Sequence, residues 1–209
     1  MIQTSQLSYS YPGHEELVFP DITCEANEHA LILGPSGVGK TTLLHLLAGI
    51  LSPTKGSIRI GNTPMHVLRG KHLDKFRGKH IGLIFQKAHF IKSLSPLENL
   101  LLTQNLAGNP TDLNHAMHLL ERLSITGRAN HKTYFMSAGE QQRLAIARAL
   151  INKPDVILAD EPSSALDDEN CKSMINLLQQ VANENNANLI VVTHDSRIKN
   201  LIDKKIFLT

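Results

Sequence analysis

The strongest constraint on this chain is Gly34-Pro35-Ser36-Gly37-Val38-Gly39-Lys40-Thr41, which fits GxxxxGK[ST] between a buried-strand pattern at His29–Leu33 and a helical pattern predicted over 40–50. The chemistry needs these residue types in this order. Glycines let the backbone curl until successive N–H groups face one anion, and the helix N-terminus adds positive potential. Lys40 reaches the β- and γ-phosphates, the Thr41 hydroxyl is a Mg²⁺ ligand, and Thr42 follows in the same turn. At average glycine content a chance match in a chain this long is of order one in a hundred. Alone, the motif says only that a nucleoside triphosphate binds, since kinases, GTPases and motors share it.

The pattern around the loop is that of an α/β protein. Short alternating stretches with Pro and Gly fill the first thirty residues and, with Gly56-Ser57-Ile58-Arg59-Ile60-Gly61, predict small antiparallel strands forming a β-layer. A polar helix is expected over 65–76 and an apolar strand over 81–85, ending at Gln86. From about 87 to 151 only helical stretches follow, at 97–106, 111–123 and 138–151. A strand at 155–160, a helix at 167–185, a strand at 188–193 and a last strand near 205–208 complete the chain. Such alternation predicts a mostly parallel sheet with helices on both faces. The expected organisation is one domain, residues 1–209, with an α/β core and β-layer at 1–86 and 154–209 and an inserted helical subdomain at about 87–153. The 209 residues, 42% of them hydrophobic, suffice for one core with an insertion.

The second chemical element is Val156-Ile157-Leu158-Ala159-Asp160-Glu161, an apolar strand ending in two carboxylates on the rim where α/β sheets bind ligands. Asp160 is placed to hold Mg²⁺ and Glu161 to take a proton from an attacking water. A phosphate-transferring kinase has no use for that second carboxylate, because its acceptor is a substrate hydroxyl, so Glu161 favours hydrolysis. Ser137-Ala138-Gly139-Glu140 reads as a capping box at the start of an amphipathic helix, and a capped helix N-terminus is also an anion site.

Composition excludes several classes. A net charge of +2 with scattered Lys and Arg argues against nucleic acid as partner. No apolar run approaches the roughly 18 to 20 residues of a membrane span, and the N-terminus lacks a signal pattern, so a cytoplasmic location is expected. Cys24 and Cys171, the only cysteines, are expected as free thiols. His115 and His118 have the helical spacing of a metal pair, but the apolar positions Leu113, Ala116, Met117, Leu120 and Leu123 place both away from the buried face, and solvated histidines are expected.

Phe135-Met136-Ser137-Ala138-Gly139-Glu140-Gln141-Gln142-Arg143 resembles the signature of ABC ATPases, usually LSGGQ or LSGGE followed by QQR. The order of phosphate loop, Gln86, signature, Asp160-Glu161, Ser164-Ala165-Leu166-Asp167 and His194 resembles that family's Walker A, Q-loop, signature, Walker B, D-loop and switch histidine over nearly the whole chain. The resemblance implies a head-to-tail dimer around two ATP molecules, each held by one chain's phosphate loop and the other's signature. It implies that Ser137 and Gly139, within the signature Ser137–Glu140, contact the γ-phosphate across the interface and that His194 contacts it in cis. It further implies that Gln86 senses Mg²⁺ and water, that Ser164 to Asp167 line the dimer seam, and that a tyrosine of the first strand, Tyr11 in preference to Tyr9, stacks on adenine.

One departure stands out: Ala138 replaces the first glycine of the signature, setting a methyl group where backbone normally meets phosphate. Weakened but not abolished ATP-driven dimerisation is expected. Residues 77–86 together with 94–99 resemble the group serving lipoprotein release, macrolide export and related mechanical permeases. That implies a separate integral membrane permease docking near Gln86, Phe90, Ile91 and Leu94, with the chain held at the inner face of the membrane through it. Two alternatives remain at this level, a soluble ABC ATPase acting on a non-membrane partner and a non-hydrolysing nucleotide-gated scaffold.

Overall fold

The computed structural model describes residues 1–87, 89–163 and 167–209. In chain order the elements are β1 (Ile2–Tyr9), β2 (Leu17–Val18), β3 (Thr23–Cys24), β4 (His29–Leu33), α1 (Lys40–Leu47), β5 (Lys55–Ile60), β6 (Thr63–Pro64), α2 (Gly70–His80), β7 (Ile81–Ile84), α3 (Pro96–Leu106), α4 (Leu113–Arg122), α5 (Ala138–Leu150), β8 (Val156–Asp160), α6 (Asp168–Glu184), β9 (Asn188–Thr193) and β10 (Lys204–Phe207).

Two sheets form. One is parallel in the order β10-β4-β9-β8-β7, and the other is antiparallel in the order β2-β1-β5-β6 with β3 also paired to β1. The predicted mixed α/β fold with a parallel sheet and an antiparallel layer is therefore present. Strands β8 and β9 are buried at every position because both faces of the parallel sheet are covered, which is why they read as continuous apolar runs. Their period-two alternation divides one strand between two cores. Val156 and Leu158 join Ile190, Val192, Leu43, Leu47, Ile2 and Ile58 on the side of α1 and the antiparallel layer. Ile157 and Ala159 join Leu189, Val191, Leu144, Ile175 and Leu178 on the side of α5 and α6.

Helix boundaries differ from expectation where local backbone chemistry intervenes. α1 stops at Leu47 rather than residue 50, because Ala48 caps it and Gly49 turns to φ +65°, the left-handed step that ends helices. The helix expected over 65–76 is broken in two: Met65–Val67 is a 3₁₀ turn, Leu68 and Arg69 are extended, and α2 begins at Gly70 with φ +48°. The histidine expectation also fails in part. His115 is half-buried with its Nε2 closed off, burial pushes its pKa down, and Leu113 instead faces solvent. α4 is rotated relative to the predicted face, with Ala116, Leu119 and Leu120 buried. Cys24 and Cys171 are free and buried.

Gly82 shows how α5 is set against the parallel sheet. A Cβ there would stand 2.4 Å from the Ala149 carbonyl oxygen and 3.1 Å from Pro154 Cγ. Helix backbone and strand backbone are thus in direct contact, and α5, which opens with the signature residues, is placed by that contact. Gly82→Ala must push α5 outward against a close-packed core. We expect a loss of about 1–3 kcal/mol of stability by chemical denaturation, as for other overpacked cores.

Candidate active site

Strands β4, β8 and β9 lie side by side and parallel, so their C-terminal ends share one rim. The loop from Gly34 to Gly39 leaves β4 and enters α1 with Gly37 at φ +85° and Gly39 at φ +96°, backbone that a side chain at either position would strain. Gly39 also lies against Leu17 and Phe19 of the antiparallel layer, which would sit 3.1 and 3.3 Å from an added Cβ. Lys40 is buried at the helix start, and its ammonium donates to the carbonyls of Gly34 (2.9 Å) and Pro35 (2.8 Å). Ser36 and Val38 complete the loop.

Thr41 Oγ1 donates to both oxygens of Asp160, at 3.3 and 3.1 Å. Burial pushes the Asp160 pKa up, the Thr41 hydrogen bond opposes this, and the neighbouring Glu161 charge adds to it. A hydroxyl and a desolvated carboxylate in contact form an oxygen-donor set that suits a hard divalent cation, whose charge would offset the desolvation. The residues present therefore fit Mg²⁺.

Glu161 follows β8 directly with φ +47°, in the left-handed region, and its N–H donates to the Val192 carbonyl at 2.8 Å. That turn swings the carboxylate onto the end of β9. Oε1 accepts from the His194 backbone N–H at 3.1 Å and lies 2.6 Å from Nδ1, while Oε2 accepts from Thr193 Oγ1 at 2.8 Å. The Glu161 side chain is 11% exposed and that of His194 60%, so the carboxylate is sheltered beneath an imidazole that faces outward.

Tyr11 lies just beyond β1. Its hydroxyl is 3.2 Å from Thr42 Oγ1, and its ring lines a 440 Å³ hollow with Pro12, His14, Leu17, Gly37 and Gly39. Tyr9 packs edge-on against it at 4.7 Å and inward on the core. Gln86 lies two residues past β7, exposed. Ser137 caps α5: its Oγ accepts from Glu140 N–H and its N–H donates to Glu140 Oε2 at 2.7 Å, so the predicted capping box is formed. Ala138 faces solvent, and among the described residues a Cβ at Gly139 would meet only Arg143 Nη1 at 3.7 Å. Asp167 caps α6 by accepting from Asn170 N–H. The seam residues Ser164, Ala165 and Leu166 lie outside the described residues.

Sequence reasoning missed a brace behind the rim. Asp195 accepts from Ser163 Oγ (3.1 Å) and from Arg197 Nε and Nη2 (3.0 and 2.7 Å), and Arg197 Nη1 reaches Asp168 at 2.8 Å. This joins the segment after β9 to the first turn of α6. The available signal was an acid and a base two residues apart directly after His194. Two contacts of the signature helix were missed as well: Arg128 pairs with Glu140 at 2.8 Å, and Gln142 donates to the Pro162 carbonyl. The Arg128 hydrogen bond and the Ser137 N–H hold the Glu140 carboxyl down at about 2.

With this geometry in view, the comparisons assign the class. The chain belongs to the ABC transporter family, whose model matches residues 20–164, and it is one of that family's ATP-binding cassettes. It is 38% identical over 210 residues to the lipoprotein-releasing system ATP-binding protein LolD of Bacteroides fragilis, covering 100% of this chain and 97% of that protein. It is also 37% identical over 203 residues to the macrolide export ATP-binding/permease protein MacB of Rhodopseudomonas palustris, matching 94% of this chain and 31% of that longer protein. Among solved structures it resembles the dimeric bacterial ABC transporter cassette MJ0796, with 32% identity and a TM-score of 0.89 over 100% of this chain and 94% of that one. A dimeric post-hydrolysis state of the same cassette bound to ADP and Pi gives a TM-score of 0.88 at 32% identity, again over 100% of this chain and 94% of that one.

The Asp195 brace has a pH signature. The Arg197 hydrogen bonds lower the Asp195 pKa from 3.8 to about 2. A carboxyl depressed on folding contributes stability above its unfolded pKa and loses it as pH falls through the folded value. Asp195→Asn is therefore expected to cost about 2 kcal/mol at neutral pH. The gap to wild type in urea unfolding should stay constant down to about pH 4 and close as the pH approaches about 2.

Proposed function

We propose that this chain is the ATP-binding and ATP-hydrolysing subunit of an ABC transporter of the lipoprotein-release or macrolide-export type. It pairs head to tail with a second copy, or with a homologous ATPase subunit, around two ATP molecules, and it drives a separate integral membrane permease. The observation that carries this reading is the convergence of Lys40, Thr41, Asp160, Glu161 and His194 on one rim of the parallel sheet.

In this reading Lys40 exchanges the Gly34 and Pro35 carbonyls for the β- and γ-phosphates, so the loop presents a cation without a large rearrangement. Tyr11 stacks on adenine above the hollow beside Thr42. Thr41 and Asp160, with Gln86, hold Mg²⁺, which neutralises phosphate charge when bound. Glu161 takes the proton of the attacking water. The Nδ1 contact to Glu161 orients the His194 ring and leaves Nε2 for the γ-phosphate.

The signature's small residues support a trans role. Among the described residues the packing leaves room for a side chain at Gly139 and leaves Ala138 in solvent, so this surface is open to close approach by a second molecule. Ser137, Ala138 and Gly139 open α5, where N–H groups and helix dipole suit the γ-phosphate bound by the partner. Asp167 lines the seam.

No helix among the described residues is long and apolar enough to cross a membrane. The chain reaches the inner membrane face through its permease. Ala48, Ile50, Arg77, Leu83 and Phe85 line a groove of 220 Å³ beside Gln86. Ile91 is 48% exposed close by in sequence, in a loop held by Asn99, whose amide bonds the Ile91 N–H and the carbonyls of Ile91 and Ser95. We assign docking to this groove together with Gln86, Ile91 and Leu94. Phe90 contributes from beneath, packed on the helical core with the Arg148 guanidinium 5.1 Å from its ring centre.

The test is sedimentation velocity of wild type and Glu161→Gln with and without Mg-ATP. The expected result is an ATP-dependent dimer of Glu161→Gln with turnover reduced by about a hundredfold or more, the scale of lost acid–base catalysis. A variant that stays monomeric while binding ATP, or that turns over like wild type, overturns the shared-site reading. In the same assay Ala138→Gly should tighten the ATP-dependent dimer, and an unchanged dimerisation constant and turnover would remove the role given to the Ala138 methyl group.

A further inference from the structure

We propose that Thr193 is a positioning residue for hydrolysis: its hydroxyl fixes the Glu161 carboxylate so that one acceptor position, on Oε2, is left for the attacking water. This rests on the reading of Glu161 as the general base.

Thr193 is fully buried at the end of β9, and the residues before it, Leu189 to Val192, are buried and apolar. A hydroxyl there must be satisfied within the protein. It lies 2.8 Å from Glu161 Oε2 and accepts the Asp195 backbone N–H at 3.0 Å. Since a hydroxyl carries a single proton and one of its lone pairs is taken by Asp195, the proton is directed to Glu161. Both partners of the hydroxyl, the Asp195 N–H that donates to it and the Glu161 carboxylate that accepts from it, are themselves held. Asp195 is pinned by Ser163 and Arg197, and Glu161 is turned inward by its left-handed backbone and its N–H bond to Val192.

An ionised carboxylate offers about four acceptor positions. Among the described residues, the His194 N–H and Nδ1 converge on Oε1, and Thr193 takes one position on Oε2. One position remains, and it belongs to Oε2. Thr193 therefore selects the oxygen that receives the proton and fixes its direction. The Thr193 methyl group is fully buried as well, which holds the hydroxyl in one orientation. Valine keeps the shape of the side chain and removes the hydroxyl, both as donor to Glu161 and as acceptor for the Asp195 N–H, while serine keeps the hydroxyl and removes the methyl group.

The experiment is steady-state ATP hydrolysis and ATP binding by the purified chain as wild type, Thr193→Val, Thr193→Ser, Glu161→Gln and the double variant Glu161→Gln/Thr193→Val, each checked by thermal unfolding. Thr193→Val should lower kcat by about ten- to a hundredfold, the scale of a misplaced catalytic group. KM for ATP and binding affinity should stay within about twofold, which marks an interaction made only in the transition state. Thr193→Ser should recover most of kcat, and adding Thr193→Val to Glu161→Gln should lower the residual rate no further, because the two act as a unit. The proposal is overturned if Thr193→Val turns over like wild type, if KM and binding move together with kcat, if serine fails to rescue, or if the double variant shows additive loss. Near wild-type turnover by Glu161→Gln would instead bring down the general-base reading itself.

Discussion

Burial of both faces of the parallel sheet is the constraint on which the rest of this structure depends. Because β8 and β9 have no solvent face, their side chains divide between two cores: helices α5 and α6 cover one face, and α1 with the antiparallel layer covers the other. Strands fixed from both sides cannot slide without exposing apolar surface on one of them. Their C-terminal ends therefore keep a constant register, Asp160 opposite Val192 and Leu33 opposite Thr193. Thr41, Asp160, Glu161, Thr193 and His194, which span more than 150 positions of the chain, meet at hydrogen-bond distance because of that register.

Polar groups at the rim are satisfied by one another at the point where apolar burial ends. Lys40 holds loop carbonyls, Thr41 holds Asp160, and Thr193 and His194 hold Glu161. Behind them, Arg197 and Asp195 tie the segment after β9 to the start of α6. Each link engages a charged group, and the Asp160 and Glu161 carboxylates are sheltered, which makes the rim a preorganised arrangement of donors and acceptors. The site is therefore two layers deep, with the groups at the rim resting on groups that set their direction.

The signature helix is held by contacts of its own. Its capping box satisfies its own N-terminus, and Arg128 and Gln142 tie its first turns to the rest of the chain. Yet at its start Ala138 is exposed, and among the described residues a side chain at Gly139 would meet only Arg143 Nη1, so packing does not hold these two positions small. A helix start so well formed and so exposed, in a family whose solved relatives include dimeric cassettes, fits a surface completed by a second molecule.

By itself the sequence determined most of what is local. The phosphate loop was readable because its glycines answer a backbone requirement, and the strands at 156–160 and 188–193 because two-sided burial writes a continuous apolar run. The Ser137–Glu140 cap was readable because both of its bonds lie within four residues. Even there it failed where one residue's backbone changes the outcome, as at Gly49 and Gly70. Only the tertiary structure decided which distant groups meet. Nothing in the text of the chain says that Thr193 faces Glu161 rather than solvent, that Arg197 bridges Asp195 and Asp168, or that Gly82 admits the backbone of α5. Those pairings depend on strand order and on the left-handed turn at Glu161, and strand order is a long-range outcome of packing that no short window of residues contains.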